Sequence, residues 1–272
     1  MSIGQRPAYP AADTLAAAGV RISVTDDVLT VTLSRPDVHN AQTPVTWHAL
    51  ASVGAAITPD IRIVVIAGDG PSFSSGLDRA MFTAGASADD LSLAGLAAMN
   101  DGDLDEALRA FQAGFTWLRR PEIISVAAVQ GHAVGAGFQL ALACDLRVVT
   151  DDVHFSMRET TLGLVPDLGG TKPLVDLVGY SRALEICTTG RSIEAAEARH
   201  LGLATIVVPT ARLSDALADL VAALSSPLHG AVAATKQVLL DAADRTFDEQ
   251  CAAERAVQAV RLRELAAALN QP

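Results

Sequence analysis

Cysteine is scarce in this chain: Cys144, Cys187 and Cys251 are the only three in 272 residues, widely spaced and without a CxxC pair. An odd, scattered set excludes a disulfide framework and a cysteine-based zinc site, and a reducing cytoplasm is the expected location. Basic charge is also short. Lys and Arg number 20 against 31 Asp and Glu, giving a formal charge of -11 and a pI near 4.9. Such a surface repels phosphate backbones, which argues against nucleic acid as a partner. An anionic ligand would need a local cluster of donors working against that field. The six histidines contain no HxxxH spacing, so no metal site is expected. No basic start leads into a long apolar run, and no signal peptide is expected. The most apolar stretch, Pro121 to Cys144, is interrupted by Gln130, His132 and Gln139. It reads as a buried strand followed by a helix, and no membrane partner is expected.

What the chain has is apolar residue in quantity: 50% hydrophobic and only 19% charged, the balance of a compact enzyme with a substantial core. Residues 1–20, rich in Ala and Pro, show no clear period and are expected to form a loose arm. Arg21 to Leu33 alternates as a hairpin turning near Asp26 and Asp27. Thr43 to Ile57 has helical spacing, and Ile61 to Ala67 is a continuous apolar run, as in a strand buried on both faces. Residues 84–103 are small and polar, as in a loop or lid. A helix from Asp105 to Leu118, strands at Ile123 to Val129 and Leu146 to Thr150, and a helix from Phe138 to Cys144 follow. From Ser181 helical patterns dominate, including Ser214 to Leu224 and Phe247 to Leu269. The pattern predicts an α/β core over residues 21–200 and a helical region over 201–272.

Two segments share one design of strand, glycine turn and helix: IRIVVIAGDGPSFSSGLD (61–78) and IISVAAVQGHAVGAGFQLALACD (123–145). Glycine lets backbone approach a ligand closely or take a positive φ, and a helix start leaves N–H donors unpaired. One such turn could cradle a phosphate, or serve topology alone. Two that converge could hold one carbonyl oxygen from both sides, as an oxyanion hole. A dinucleotide site is disfavoured, because Leu140 stands where the third glycine of GxGxxG belongs. Ser74 and Ser75 lack the GxSxG setting of a hydrolase nucleophile.

PSFSSGLD (71–78), GHAVGAGFQLALACDLRV (131–148) and VHFSMRETTLGLVPDLGGTKPLVDLVG (153–179) stand in this order after SRPDVHNA (34–41). Together they resemble the enoyl-CoA hydratase/isomerase (crotonase) superfamily. The resemblance implies a crotonase-like α/β spiral of strand-strand-helix repeats, with a C-terminal helical region making a homotrimer or a dimer of trimers. It implies an acyl-CoA thioester substrate, no cofactor beyond the CoA carried by that substrate, and enoyl-CoA isomerisation or hydration in fatty-acid metabolism.

Carried over by position, the oxyanion donors are the backbone N–H groups of Leu77 and Ala136, and the family's paired acids fall on Glu159 and Gln139. Glutamine cannot exchange a proton near neutral pH, so the chain departs here from two-carboxylate hydration. Asp167 matches an acid of the dienoyl-CoA isomerases and is a candidate second acid, or else shapes a turn before Gly169. Glu159 is the candidate base, or else an acid paired with Arg158. One useful carboxylate suits proton shuttling between two carbons; the alternative is a disarmed acyl-CoA-binding protein. For CoA the implied contacts are Arg35, Ser75, Asp78 and Lys236, and Met81, Phe82, Leu91, Leu93, Leu96 and Met99 are expected around the acyl group.

Overall fold

The apolar runs of the sequence form the centre of a six-stranded sheet in the computed structural model, which describes residues 8–82 and 92–269. The chain enters through α1 (Ala12–Ala17), the antiparallel pair β1 (Val20–Thr25) and β2 (Val28–Leu33), and α2 (Pro44–Ala56). It continues with β3 (Ile63–Gly68), α3 (Leu93–Ala97), α4 (Asp101–Thr116), β4 (Ile124–Val129), β5 (His132–Val134) and α5 (Ala136–Ala143). Next come β6 (Leu146–Thr150), β7 (His154–Ser156), α6 (Thr171–Val178), α7 (Tyr180–Thr189), β8 (Ile193–Glu194) and α8 (Ala195–His200). β9 (Ile206–Val208), α9 (Leu213–Ser225), α10 (His229–Leu240) and α11 (Phe247–Leu269) complete it. The main sheet runs β1-β2-β3-β4-β6-β9 and is parallel from β2 onward; β5, β7 and β8 form a second sheet.

Burial on both faces explains the continuous apolar runs of β3 and β4. Val64, Ile66, Ala127 and Val129 point into one core cluster with α2, α4 and α5, while Ile63, Val65 and Val126 point into another. The second face is covered by α9 through Leu213, Ala216, Leu217, Leu220, Val221 and Leu224, a helical stripe at three- and four-residue spacing. α2 begins with a capping box between Thr43 and Thr46 and Pro44 in its first turn, both ordinary N-terminal signals. Among the described residues, no single helix is long and apolar enough to cross a membrane.

Three differences from the sequence reading have local causes. Within the arm expected to be loose, Ala12–Ala17 is a helix anchored by Leu15, which is 1% exposed; one buried side chain makes no period. α4 starts at Asp101 because the Asn100 side chain accepts from Asp103 N, and Asp101 and Asp103 meet the positive helix end. Its first turn and α3 therefore lie inside the stretch read as a loop. Beyond residue 200, β9 pairs with β6 at the sheet edge, too short to show alternation and in a region read as helical.

α2 and α4 meet so closely that a Cβ at Gly114 would lie 2.5 Å from the main-chain oxygen of Trp47. Gly114→Ala should destabilise the protein by about 1–3 kcal/mol through forced separation of the two helices. A urea unfolding midpoint equal to that of the parent would show that the contact relaxes without cost.

Candidate active site

The parallel register places β3 beside β4, so the turns that leave their carboxyl ends lie side by side. Main-chain bonds join them: Ser74 N donates to His132 O at 2.9 Å, and Val134 N to Ser74 O at 2.9 Å. Gly76, at φ +86°, has no room for a side chain, since a Cβ would sit 2.4 Å from Val134 O and 3.5 Å from Ala136 N. Gly137 is equally confined, with Ser74 Cβ 2.7 Å from any Cβ it carried. Ala136 opens α5, while Leu77 forms an isolated bridge with Gln42 that uses Gly76 O and Asp78 N. Among the described residues, the N–H groups of Leu77 and Ala136 therefore donate to nothing in the protein. Both residues line a cavity of about 520 Å³.

A buried polar lattice fixes the first turn. Ser74 Oγ donates to Asn40 O at 2.8 Å and accepts from Gln42 Nε2 at 3.0 Å and Gly76 N at 3.2 Å. Gln42 Oε1 accepts from Trp47 Nε1 at 2.9 Å, and Asn40 Nδ2 donates to Ser72 O at 2.8 Å. Gln42 and Ser74 are 0% exposed and Asn40 is 1% exposed. Sequence reasoning noted Asn40 but not Gln42 or the role of Ser74; their only signal was a polar residue directly after SRPDVHNA and one inside PSFSSGLD.

Glu159 and Gln139 are brought together. Glu159 Oε1 accepts from Gln139 Nε2 at 2.8 Å, while its Oε2 is buried without a partner. Burial in the apolar wall raises the Glu159 pKa above the ordinary glutamate value, with a smaller push from the negative charge of Asp167. No ion pair joins Glu159 to Arg158 among the described residues. Asp167 lines the same cavity, open to it, and desolvation there raises its pKa as well. Its main-chain oxygen accepts from Gln112 Nε2 of α4 at 2.7 Å. Apart from Ser75 and Arg158, the rest of the wall is apolar: Met81, Leu93 and Leu96 as expected, together with Trp47, Leu108 and Phe111, which the sequence reading missed. Phe82 borders an adjoining recess with Arg79 and Arg158, Met99 packs on the core instead, and Leu91 lies outside the described residues.

The residues expected at CoA are less uniform. Ser75 lines the cavity. Arg35 is spent partly on Asp78, at 2.9 Å, and on Ala41 O, at 2.8 Å. Lys236 is 6% exposed, with Nζ donating to Asp145 Oδ2 at 2.7 Å and Ile123 O at 2.7 Å. It borders a separate cleft between α10 and the residues Ile124, Asp145 and Leu146, and its bonds to Asp145 and Ile123 tie α10 to the sheet within this chain.

With this geometry in view, comparison with known proteins is decisive for the family: the enoyl-CoA hydratase/isomerase model matches residues 23–264. The chain belongs to the enoyl-CoA hydratase/isomerase family. It is 30% identical over 224 residues to a protein of Mycobacterium bovis provisionally assigned as an enoyl-CoA hydratase, covering 80% of this chain and 78% of the relative. It is also 30% identical over 187 residues to a peroxisomal Delta(3,5)-Delta(2,4)-dienoyl-CoA isomerase of Arabidopsis thaliana, covering 67% of this chain and 65% of that one. A solved structure from Thermobifida fusca YX, provisionally assigned as an enoyl-CoA hydratase and bound to CoA, matches with TM-score 0.90 and 47% identity over 95% of this chain and 98% of its own. The same relative bound to acetoacetyl-CoA gives TM-score 0.89 and 47% identity over 94% and 99%. The α/β architecture with helices on the sheet is thus that of crotonase-fold hydratases.

A glutamate whose folded pKa is raised adds stability below its ordinary value of 4.5, and that stability is lost as pH rises through the folded value. Glu159→Gln keeps an acceptor for Gln139 and removes the loss. Its stability relative to the parent should grow as pH rises above the ordinary glutamate value of 4.5 and level off once Glu159 has ionised in the folded protein. Paired urea titrations measure the difference; one that stays flat with pH would mean Glu159 ionises as freely folded as unfolded.

Proposed function

We propose that this enzyme polarises the carbonyl of an enoyl-CoA thioester with the N–H groups of Leu77 and Ala136 and moves a proton with Glu159. The observation that carries the reading is Glu159 Oε2, a buried carboxylate oxygen without a partner, on the wall of the cavity that also holds two unpaired N–H donors. For a 3-enoyl-CoA, Oε2 takes a proton from Cα. The electron pair of that C–H bond moves toward the thioester, and charge collects on its oxygen between the two donors. Glu159 then returns the proton to Cγ, the double bond shifts to the 2,3 position, and atoms balance without water or a cofactor. A raised pKa suits this exchange, because the acid and base forms lie nearer in energy at neutral pH.

Double-bond isomerisation is favoured over hydration because the second position near the base carries Gln139, an amide. Asp167, open to the same cavity with its pKa raised, supports a second reading in which it supplies the other acid for hydration or for a longer proton shuttle. The alternative of a disarmed acyl-CoA-binding protein rested on Gln139; that residue instead bonds to Glu159 and leaves Oε2 available.

Support for an acyl-CoA substrate comes from the CoA and acetoacetyl-CoA held by the Thermobifida relative, and a role in fatty-acid metabolism is supported by a relative named as a peroxisomal fatty-acid β-oxidation multifunctional protein. Arg35, Ser75 and Asp78 remain the proposed CoA contacts. For α11, with no buried residue and with Val260, Leu262 and Leu265 exposed, we retain the trimer or paired trimers expected from the family. The three free thiols favour the cytoplasm.

The test follows conjugated-thioester absorbance with a 3-enoyl-CoA and a 2-enoyl-CoA. Absorbance should rise from the 3-enoyl substrate, and Glu159→Gln should lower that rate by about 10²–10⁴-fold with saturated acyl-CoA still bound. Undiminished turnover by the variant would remove Glu159 from the chemistry.

A further inference from the structure

Gln139 is 0% exposed, and its carbonyl is fully used: Oε1 accepts from Leu168 N at 2.9 Å and from Gly170 N at 3.2 Å. Those two main-chain donors fix the amide orientation, since a flipped amide would set NH2 against N–H twice. Nε2 is thereby aimed at Glu159 Oε1, 2.8 Å away. Gly170 makes room for this, because a Cβ there would lie 2.7 Å from Gln139 Cγ. One side chain thus holds the proposed base with one end and, with the other, the two N–H groups that follow Asp167. Gln112 of α4 secures the same loop at Asp167 O.

We infer that Gln139 is a positioning residue: its amide occupies Oε1 of Glu159, leaves Oε2 alone to exchange protons, and locks the Asp167 loop in register with it. This deepens the function proposed above and rests on it for the kinetic part. A carboxylate at this position would accept from Leu168 and Gly170 equally well, but it could bond to Glu159 only by holding a proton between them. The amide avoids that. It donates without titrating, so Glu159 ionises as a single group that, among the described residues, faces Asp167 from the loop, Cys187 from α7 and the adjacent Arg158.

The experiment uses Gln139→Glu and Gln139→Met in the full chain, with 13C-labelled glutamate carboxyls titrated by NMR and the Glu159 signal assigned by its loss in Glu159→Gln. In Gln139→Glu, which preserves both main-chain bonds, Glu159 should titrate in two coupled steps, the upper one above the single step of the parent. Turnover of 3-enoyl-CoA near neutral pH should fall about 10²-fold with KM little changed, from misplacement of the base. Gln139→Met, which keeps the side-chain length but donates nothing, should lose a similar factor in kcat and recover none of it at lower pH. An unmoved Glu159 titration together with unmoved pH–rate profiles would overturn the inference. If the parent turns over neither enoyl-CoA, the proposed reaction falls, and the carboxyl titration alone decides the role of Gln139.

Discussion

The site depends on one steric constraint, the approach of two backbone turns until no side chain fits between them. Gly76 meets Val134 O, Gly137 meets Ser74, and Gly131, at φ +55°, would press a Cβ to within 2.2 Å of Pro71 O. Only the parallel pairing of β3 and β4 brings these turns to the same edge, and only glycine lets them touch. The unpaired N–H groups of Leu77 and Ala136 follow from that contact: one is left over at a bridge, the other at a helix start. Neither needs a particular side chain, so the apolar character of both residues is free to shape the cavity.

Holding the turns requires polar groups inside an apolar core, where an unsatisfied donor or acceptor costs about 1–3 kcal/mol. Asn40, Gln42, Ser74 and Gln139 meet this by bonding to main chain or to each other. Trp47, part of the cavity wall, is tied into the same lattice through Gln42. Glu159 Oε2 stands apart as a buried acceptor with nothing to accept. A carboxylate oxygen left at that disadvantage on a cavity wall is a candidate for chemistry, which the other unpaired buried atoms, Tyr9 Oη and Arg62 Nε, do not offer at that cavity.

The strands β3, β4 and β6 were legible as apolar runs and α11 as a long Ala-rich stretch: the expected Phe247 to Leu269 helix has those bounds. Glu159, Gln139, Asp167, Leu77 and Ala136 were legible as a constellation because each sits in a motif, and all five line one cavity. Lys236 was not, since its partners Asp145 and Ile123 are distant in sequence and the pairing belongs to tertiary structure. The same holds for Trp47 and Phe111, whose rings lie 5.1 Å apart across α2 and α4 and face the cavity together. β9 and α1 are held by tertiary contacts that leave no mark in a few residues.

A polarised carbonyl is the centre of the proposed chemistry, and vibrational spectroscopy reads it without turnover. A saturated acyl-CoA carrying 13C at the thioester carbonyl would be bound to the protein and its C=O stretch compared with that of the free ligand. Two N–H donors converging on the oxygen should move the band to lower frequency, and by less in a Gly76→Ala variant whose turns are pushed apart. A bound thioester whose carbonyl band matches that in water would mean that Leu77 and Ala136 do not hold the oxygen.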